Sequence, residues 1–199
     1  MKLGLNRVPV ILQPKPDKLQ NLMMMFAIHN ARRDWDPLPT ALKLRDLERE
    51  FARRHERNPT ELELAGLASL SRGVVRRLKK LLALPKEYIS ELMVELEKPR
   101  AEQQLTVDHV LEVTKAASIL KKRELVTPRG EDRLRRALLT KFRTKVLGST
   151  VDPRKLIRIS RSVERGDISK DVAKGAIDRL ITDPKFSIDN AFHETVERQ

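Results

Sequence analysis

A mainly α-helical fold is predicted for this 199-residue chain by three features. Apolar residues recur three and four apart over most of its length, one β-branched run is short enough for a single strand, and prolines or glycines separate the periodic segments. The strand is expected at residues 8–12, Val-Pro-Val-Ile-Leu, just before Pro14. Residues 17–28 then place Leu19, Leu22, Met23 and Phe26 on one helical face, with the Met23-Met24-Met25 run filling core space. Residues 32–39 break the pattern with Pro37 and Pro39, and 40–55 resume it through Leu44, Leu47 and Phe51, with Arg and Glu mixed on the other side. After Asn58-Pro59, Thr60 is placed to cap a helix over 61–69 and Glu63 to complete a capping box. A turn at Leu70 leads to Ser71, the expected N-cap of a basic helix that Leu84-Pro85 ends. Further helices are expected over 86–97, closed by Pro99, and over 106–122. Thr127-Pro128-Arg129-Gly130 marks a domain boundary, beyond which helices are expected over 131–147, 153–164, 169–181 and 187–198. Gly148-Ser149-Thr150 and Gly166 interrupt them. The resulting division is 1–36, 37–126 and 127–199.

A formal charge of +13 and a pI near 10.3 attract polyanions, nucleic acid first and an anionic membrane second. No run of about twenty apolar residues is present to span a bilayer. The first residues lack the layout of a secretory signal, their short apolar run being broken by Pro9 and Pro14. The absence of cysteine excludes disulfides and thiolate zinc sites and agrees with a reducing, cytoplasmic, nucleoid-associated setting. Five Phe, one Trp and one Tyr are too few for a stacking platform on single strands, so the nucleic acid expected is a duplex.

The stretch Leu-Ala-Gly-Leu-Ala-Ser-Leu-Ser-Arg-Gly-Val-Val-Arg-Arg-Leu-Lys-Lys-Leu-Leu-Ala-Leu-Pro, residues 64–85, reads as a helix-turn-helix. Ala65, Ala68, Leu70, Val75 and Leu78 fall where two short helices bury side chains against each other. Residues 72–86 contain six basic side chains and no acidic one, a helix suited to the DNA major groove. Entering N-terminus first, it would set Ser71 and Arg72 beside phosphate or base edges and Arg76 one turn on. Arg72 and Arg76 are the candidates for guanine, and Arg77, Lys79 and Lys80 for flanking phosphates. Thr60 and the amides that open the first helix offer another phosphate position. Residues 121–161 carry fourteen basic and four acidic side chains, a second positive region whose Arg135, Arg136, Lys141, Arg143 and Lys145 are candidates for further backbone contacts.

Enzymatic chemistry finds no support. His29, His55, His109 and His193 are scattered without metal-ligand spacing, and His109 is expected to pack or cap between helices. No glycine-rich phosphate loop or nucleophile elbow occurs, so no catalytic residue, metal or cofactor is assigned.

Several of these segments, in order, resemble the ParB/KorB family of DNA-partition proteins. Val-Pro-Val-Ile-Leu is similar to a late strand of that family's N-terminal nucleotide-binding domain. Residues 28–37, Ile-His-Asn-Ala-Arg-Arg-Asp-Trp-Asp-Pro, resemble its E-N-x-x-R-x-x-x-P segment. Ala65, Ser71, Val75, Leu78 and the trailing Leu81-Leu82-Ala83-Leu84-Pro85 match the spacing of its helix-turn-helix, with Ser69 where a turn glycine is usual. Leu105-Thr106-Val107-Asp108-His109 resembles its L-S-x-x-H. The resemblance covers about half the chain and implies a helical DNA-binding domain carrying the remnant of a nucleotide domain. Only seven residues precede the strand, and His29 replaces the carboxylate that would help hold a cation beside a triphosphate, so the pocket for CTP is incomplete. Asn30 and Arg33 remain as residual phosphate contacts. The expectation is sequence-specific binding of double-stranded DNA in plasmid or chromosome partition or associated transcriptional control, with a partition ATPase as the partner the resemblance implies. A homodimer would double the site and give it twofold symmetry. Three other readings use the same residues: a sigma-like or repressor-type regulator, a CTP-dependent switch completed by another chain, and a basic helical adaptor for an acidic protein.

Overall fold

A computed structural model describes residues 14–32 and 36–197. The strand expected at 8–12 and the candidate Arg33 lie outside them. Every regular element among the described residues is helical.

The first of the two compact units, residues 1–79, contains α1 (Lys18–Arg32), α2 (Pro37–His55), α3 (Glu61–Leu67) and most of α4 (Arg72–Leu82). Pro37 and Pro39, read from sequence as a break, instead form the first turn of α2. Proline is tolerated there because first-turn amides have no carbonyl partner within the helix. The Thr40 hydroxyl donates to the Asp36 carbonyl across that turn at 2.8 Å. α1 lies on α2 and α2 on α3, burying Phe26, Leu38, Leu44, Leu47 and Leu64 completely or nearly so. Within the methionine run, Met24 faces solvent while Met23 and Met25 are half-buried.

The second unit, residues 80–199, contains the end of α4, α5 (Lys86–Leu96), a short 3-10 turn, α6 (Val107–Lys122) and α7 (Pro128–Arg143). It continues through α8 (Pro153–Arg165), α9 (Lys170–Thr182) and α10 (Ile188–Phe192), with a π-helical turn at His193–Glu197. α6 packs on α7 and α8, α9 rests on both of those, and α10 covers α8 and α9. Leu120, Leu134, Leu138, Leu156 and Ile159 are fully buried between them. The expected boundaries at 36/37 and 126/127 do not coincide with this division. Thr127 is the N-cap of α7, accepting from the Gly130 amide at 3.0 Å, and Pro128 occupies the first helical position, so the segment starts a helix.

Four helices end in the same hydrogen-bond pattern. At Ser69, Glu124 and Lys145 the backbone has φ of +52°, +56° and +60°, and the residue after each donates back across the last turn, as from Leu70 to Ala65 at 2.9 Å. Gly166 does the same after α8 at φ +79°.

Candidate nucleic-acid interface

α3 opens with the capping box expected from sequence. The Glu63 amide donates to Thr60 Oγ1 at 3.2 Å, and the Thr60 amide donates to Glu63 Oε2 at 2.8 Å. Arg57 forks onto the same carboxylate, and with the Thr60 amide it holds the Glu63 carboxyl down at about 2. Both donors of Thr60 are directed at Glu63, so a carboxylate already occupies the place where a phosphate was expected. Thr60 thus caps α3.

The turn between α3 and α4 is held from outside. Asn30, on α1, donates its side-chain amide to the Ala68 carbonyl at 2.7 Å and to the Ser69 carbonyl at 3.3 Å. Asn30, expected from sequence as a residual nucleotide contact, thus has its side-chain amide donors engaged by the turn. Sequence reasoning missed the clamp because 38 residues separate its two ends.

α4 begins at Ser71, whose Oγ accepts from the Val74 amide at 3.3 Å and whose carbonyl accepts from the Val75 amide at 3.0 Å. Val75, Leu78 and Leu81 are buried along one side of the helix. Arg72, Gly73, Arg76, Arg77 and Lys80 lie on exposed positions, with Arg72, Arg76 and Lys80 stacked four residues apart in one stripe. Arg76 Nε donates to Glu61 Oε2 at 2.7 Å, and that bond leads the causes that lower the Glu61 pKa. Lys79 is half-buried and reaches Glu48 at 2.9 Å, so it joins α4 to α2. Among the described residues neither Arg72 nor Lys80 forms an ion pair.

The second positive region separates into free and committed charges. Lys141 is 2 % exposed and donates to the Asp183 carbonyl at 2.5 Å, with burial lowering its pKa. Arg135 has only 11 % of its side chain exposed and is held by Glu131 and by Asp132 at 3.2 Å. Arg143 pairs with Glu91. Lys141 is thus buried in the bundle and Arg135 largely so, whereas Arg136 and Lys145 face solvent.

His109, His55 and His193 each contact a neighbouring side chain. His109 accepts the Thr106 amide at 3.1 Å in a capping box and stacks on Phe142 with ring centroids 4.3 Å apart. His55 stacks on Phe51, and His193 bonds Glu197 at 2.9 Å. Among the described residues no group of three or more His, Asp or Glu side chains is gathered for a metal. No described helix is long and apolar enough to cross a membrane.

No family model, curated protein or solved structure matches the chain.

Proposed function

We propose that the chain binds double-stranded DNA through α3, the Ser69 turn and α4, with α4 lying in the major groove. The observation that carries this reading is the two-sided build of α4. Val75, Leu78 and Leu81 anchor it, while Arg72, Arg76, Arg77 and Lys80 occupy exposed positions and the capped N-terminus leads. In this reading Arg72 and Arg76 face base edges, and Arg77 and Lys80 neutralise phosphates. Ser71 retains its hydroxyl proton for an edge or phosphate. Arg136 and Lys145 are the solvent-exposed candidates for backbone contact from the second region.

The biological role that the ParB/KorB resemblance suggests is partition or the associated control of transcription, with a homodimer on a palindromic site. The test is selection of sites from a random duplex pool at near-physiological salt. A single enriched motif is expected, with Arg76→Ala weakening it by about 1–3 kcal/mol. Equal loss on every sequence removes Arg76 from base reading, and retention without any motif removes sequence specificity from the proposal.

A further inference from the structure

A groove of about 710 Å³ lies in the second unit, between the α6–α7 connection and α9. Its size is in the range of about 300–1,000 Å³ typical of ligand clefts. Leu125, Val126, Pro128 and Ile181 contribute apolar surface to it, with Leu125 buried and Val126 and Ile181 half-buried. Four cations stand around them: Lys121, Arg129, Arg133 and Lys174. Lys121 is tied to Glu131 at 2.5 Å, but among the described residues Arg129, Arg133 and Lys174 form no ion pair. Arg129 and Arg133 are four residues apart on α7 and so share a face. Two carboxylates, Glu124 and Asp178, also line the groove, and Lys170 holds Glu124 at 2.8 Å.

We infer that this groove docks a short segment of a partner protein in which an apolar anchor is flanked by Asp or Glu. Charge complementarity selects the acidic flanks, which would meet Arg129, Arg133 and Lys174. The apolar floor selects the anchor, because an apolar group gains free energy by leaving water onto the accessible surface of Val126, Pro128 and Ile181. A DNA backbone fits this floor less well. It offers no apolar anchor, and its charges, spaced about 1.7 Å apart along the axis, cannot avoid Glu124 and Asp178. A peptide places its carboxylates by sequence and leaves gaps opposite those two side chains. The inference stands independently of DNA binding by α4.

The test is display of random linear peptides against the full chain, followed by anisotropy titration of the enriched sequences as fluorescein-labelled peptides. Selection of Leu, Ile or Phe flanked by Asp or Glu is expected. The double variant Arg129→Glu/Arg133→Glu should weaken the selected peptide about tenfold or more, as expected when two exposed charge contacts turn repulsive. Ile181→Ser leaves the charges in place and should weaken it several-fold, a loss that diffuse electrostatic attraction would not produce. Lys185→Glu, a single charge reversal of the same kind on an exposed loop outside the groove, should leave affinity unchanged. Failure to enrich an acidic–apolar motif, or a motif that binds the double variant as tightly as the parent chain, overturns the inference. Loss of duplex-DNA affinity in the double variant without peptide selection also overturns it and reassigns the cations to phosphate.

Discussion

Ser69 holds φ at +52°, a region that costs a residue with a Cβ about 1–2 kcal/mol and costs glycine almost nothing. Ser69→Gly is therefore expected to stabilise the first unit by up to about 1 kcal/mol, the relief being partly offset by the greater freedom of glycine in the unfolded chain. A rise in the urea midpoint without a change of slope would register it. The same turn depends on Asn30. Asn30→Ala leaves the Ala68 carbonyl without its side-chain donor and should cost about 1–2 kcal/mol, and duplex affinity should fall only as far as the turn loosens. A variant of full stability that lost nucleotide-dependent behaviour would reverse that assignment. Neither role was visible to a reading of residue types. From sequence Asn30 reads as a phosphate contact, and only the fold shows its amide directed at a backbone carbonyl.

At the scale of elements, the basic stripe of α4 is restrained by one acidic neighbour. Glu61 lies 2.7 Å from Arg76 Nε and competes with any anion for that guanidinium. Glu61→Gln removes the competing charge and should raise duplex affinity a few-fold, chiefly through faster association at low salt. Unchanged affinity over a salt series would mean that Arg76 does not meet DNA. The helices were legible where apolar spacing and a cap agree, as at Thr60 and Ser71, each of which accepts an amide at a helix start, whereas Thr127, which reads from sequence as part of a boundary, caps α7. The first turn of α2 was not legible, since proline reads as an interruption until a helix is known to begin at it. The second positive region misled for a related reason. Counting charge over 121–161 leaves out Glu91, Glu112, Glu164 and Asp189, which lie outside the window and pair with Arg143, Arg154, Arg123 and Lys155. A sequence count registers the cations and misses partners contributed by other helices.

For the whole molecule, titration couples stability to pH in two steps on the acid side. Burial pushes the His109 pKa below its ordinary 6.5, so the unfolded chain takes up that proton first. Stability from this group is complete above about 6.5 and is lost as pH falls toward the lower folded value. Burial opposes ionisation of Glu95 and Glu131, yet hydrogen bonds outweigh it. Lys98 and the Gln104 amide act on Glu95, and Lys121 and Ser118 act on Glu131, holding both below the ordinary 4.5. Their contribution is present above about 4.5 and is lost as pH falls through the folded values. His109→Gln keeps a side-chain acceptor for the Thr106 amide and removes the imidazole. It should flatten the first fall in urea midpoint as pH drops below about 6.5 and leave the carboxylate-linked fall below about 4.5 intact. An unaltered profile would place the first step elsewhere.

The division between the two compact units falls at Lys79 and Lys80, inside α4. Truncation at that junction would sever the helix before buried Leu81 and separate Lys80 from Arg72 and Arg76. The basic stripe consequently cannot be transplanted as a free-standing cassette cut at the edge of its own unit. A graft that keeps it whole must extend through Leu82, and so must carry the opening residues of the neighbouring bundle with it.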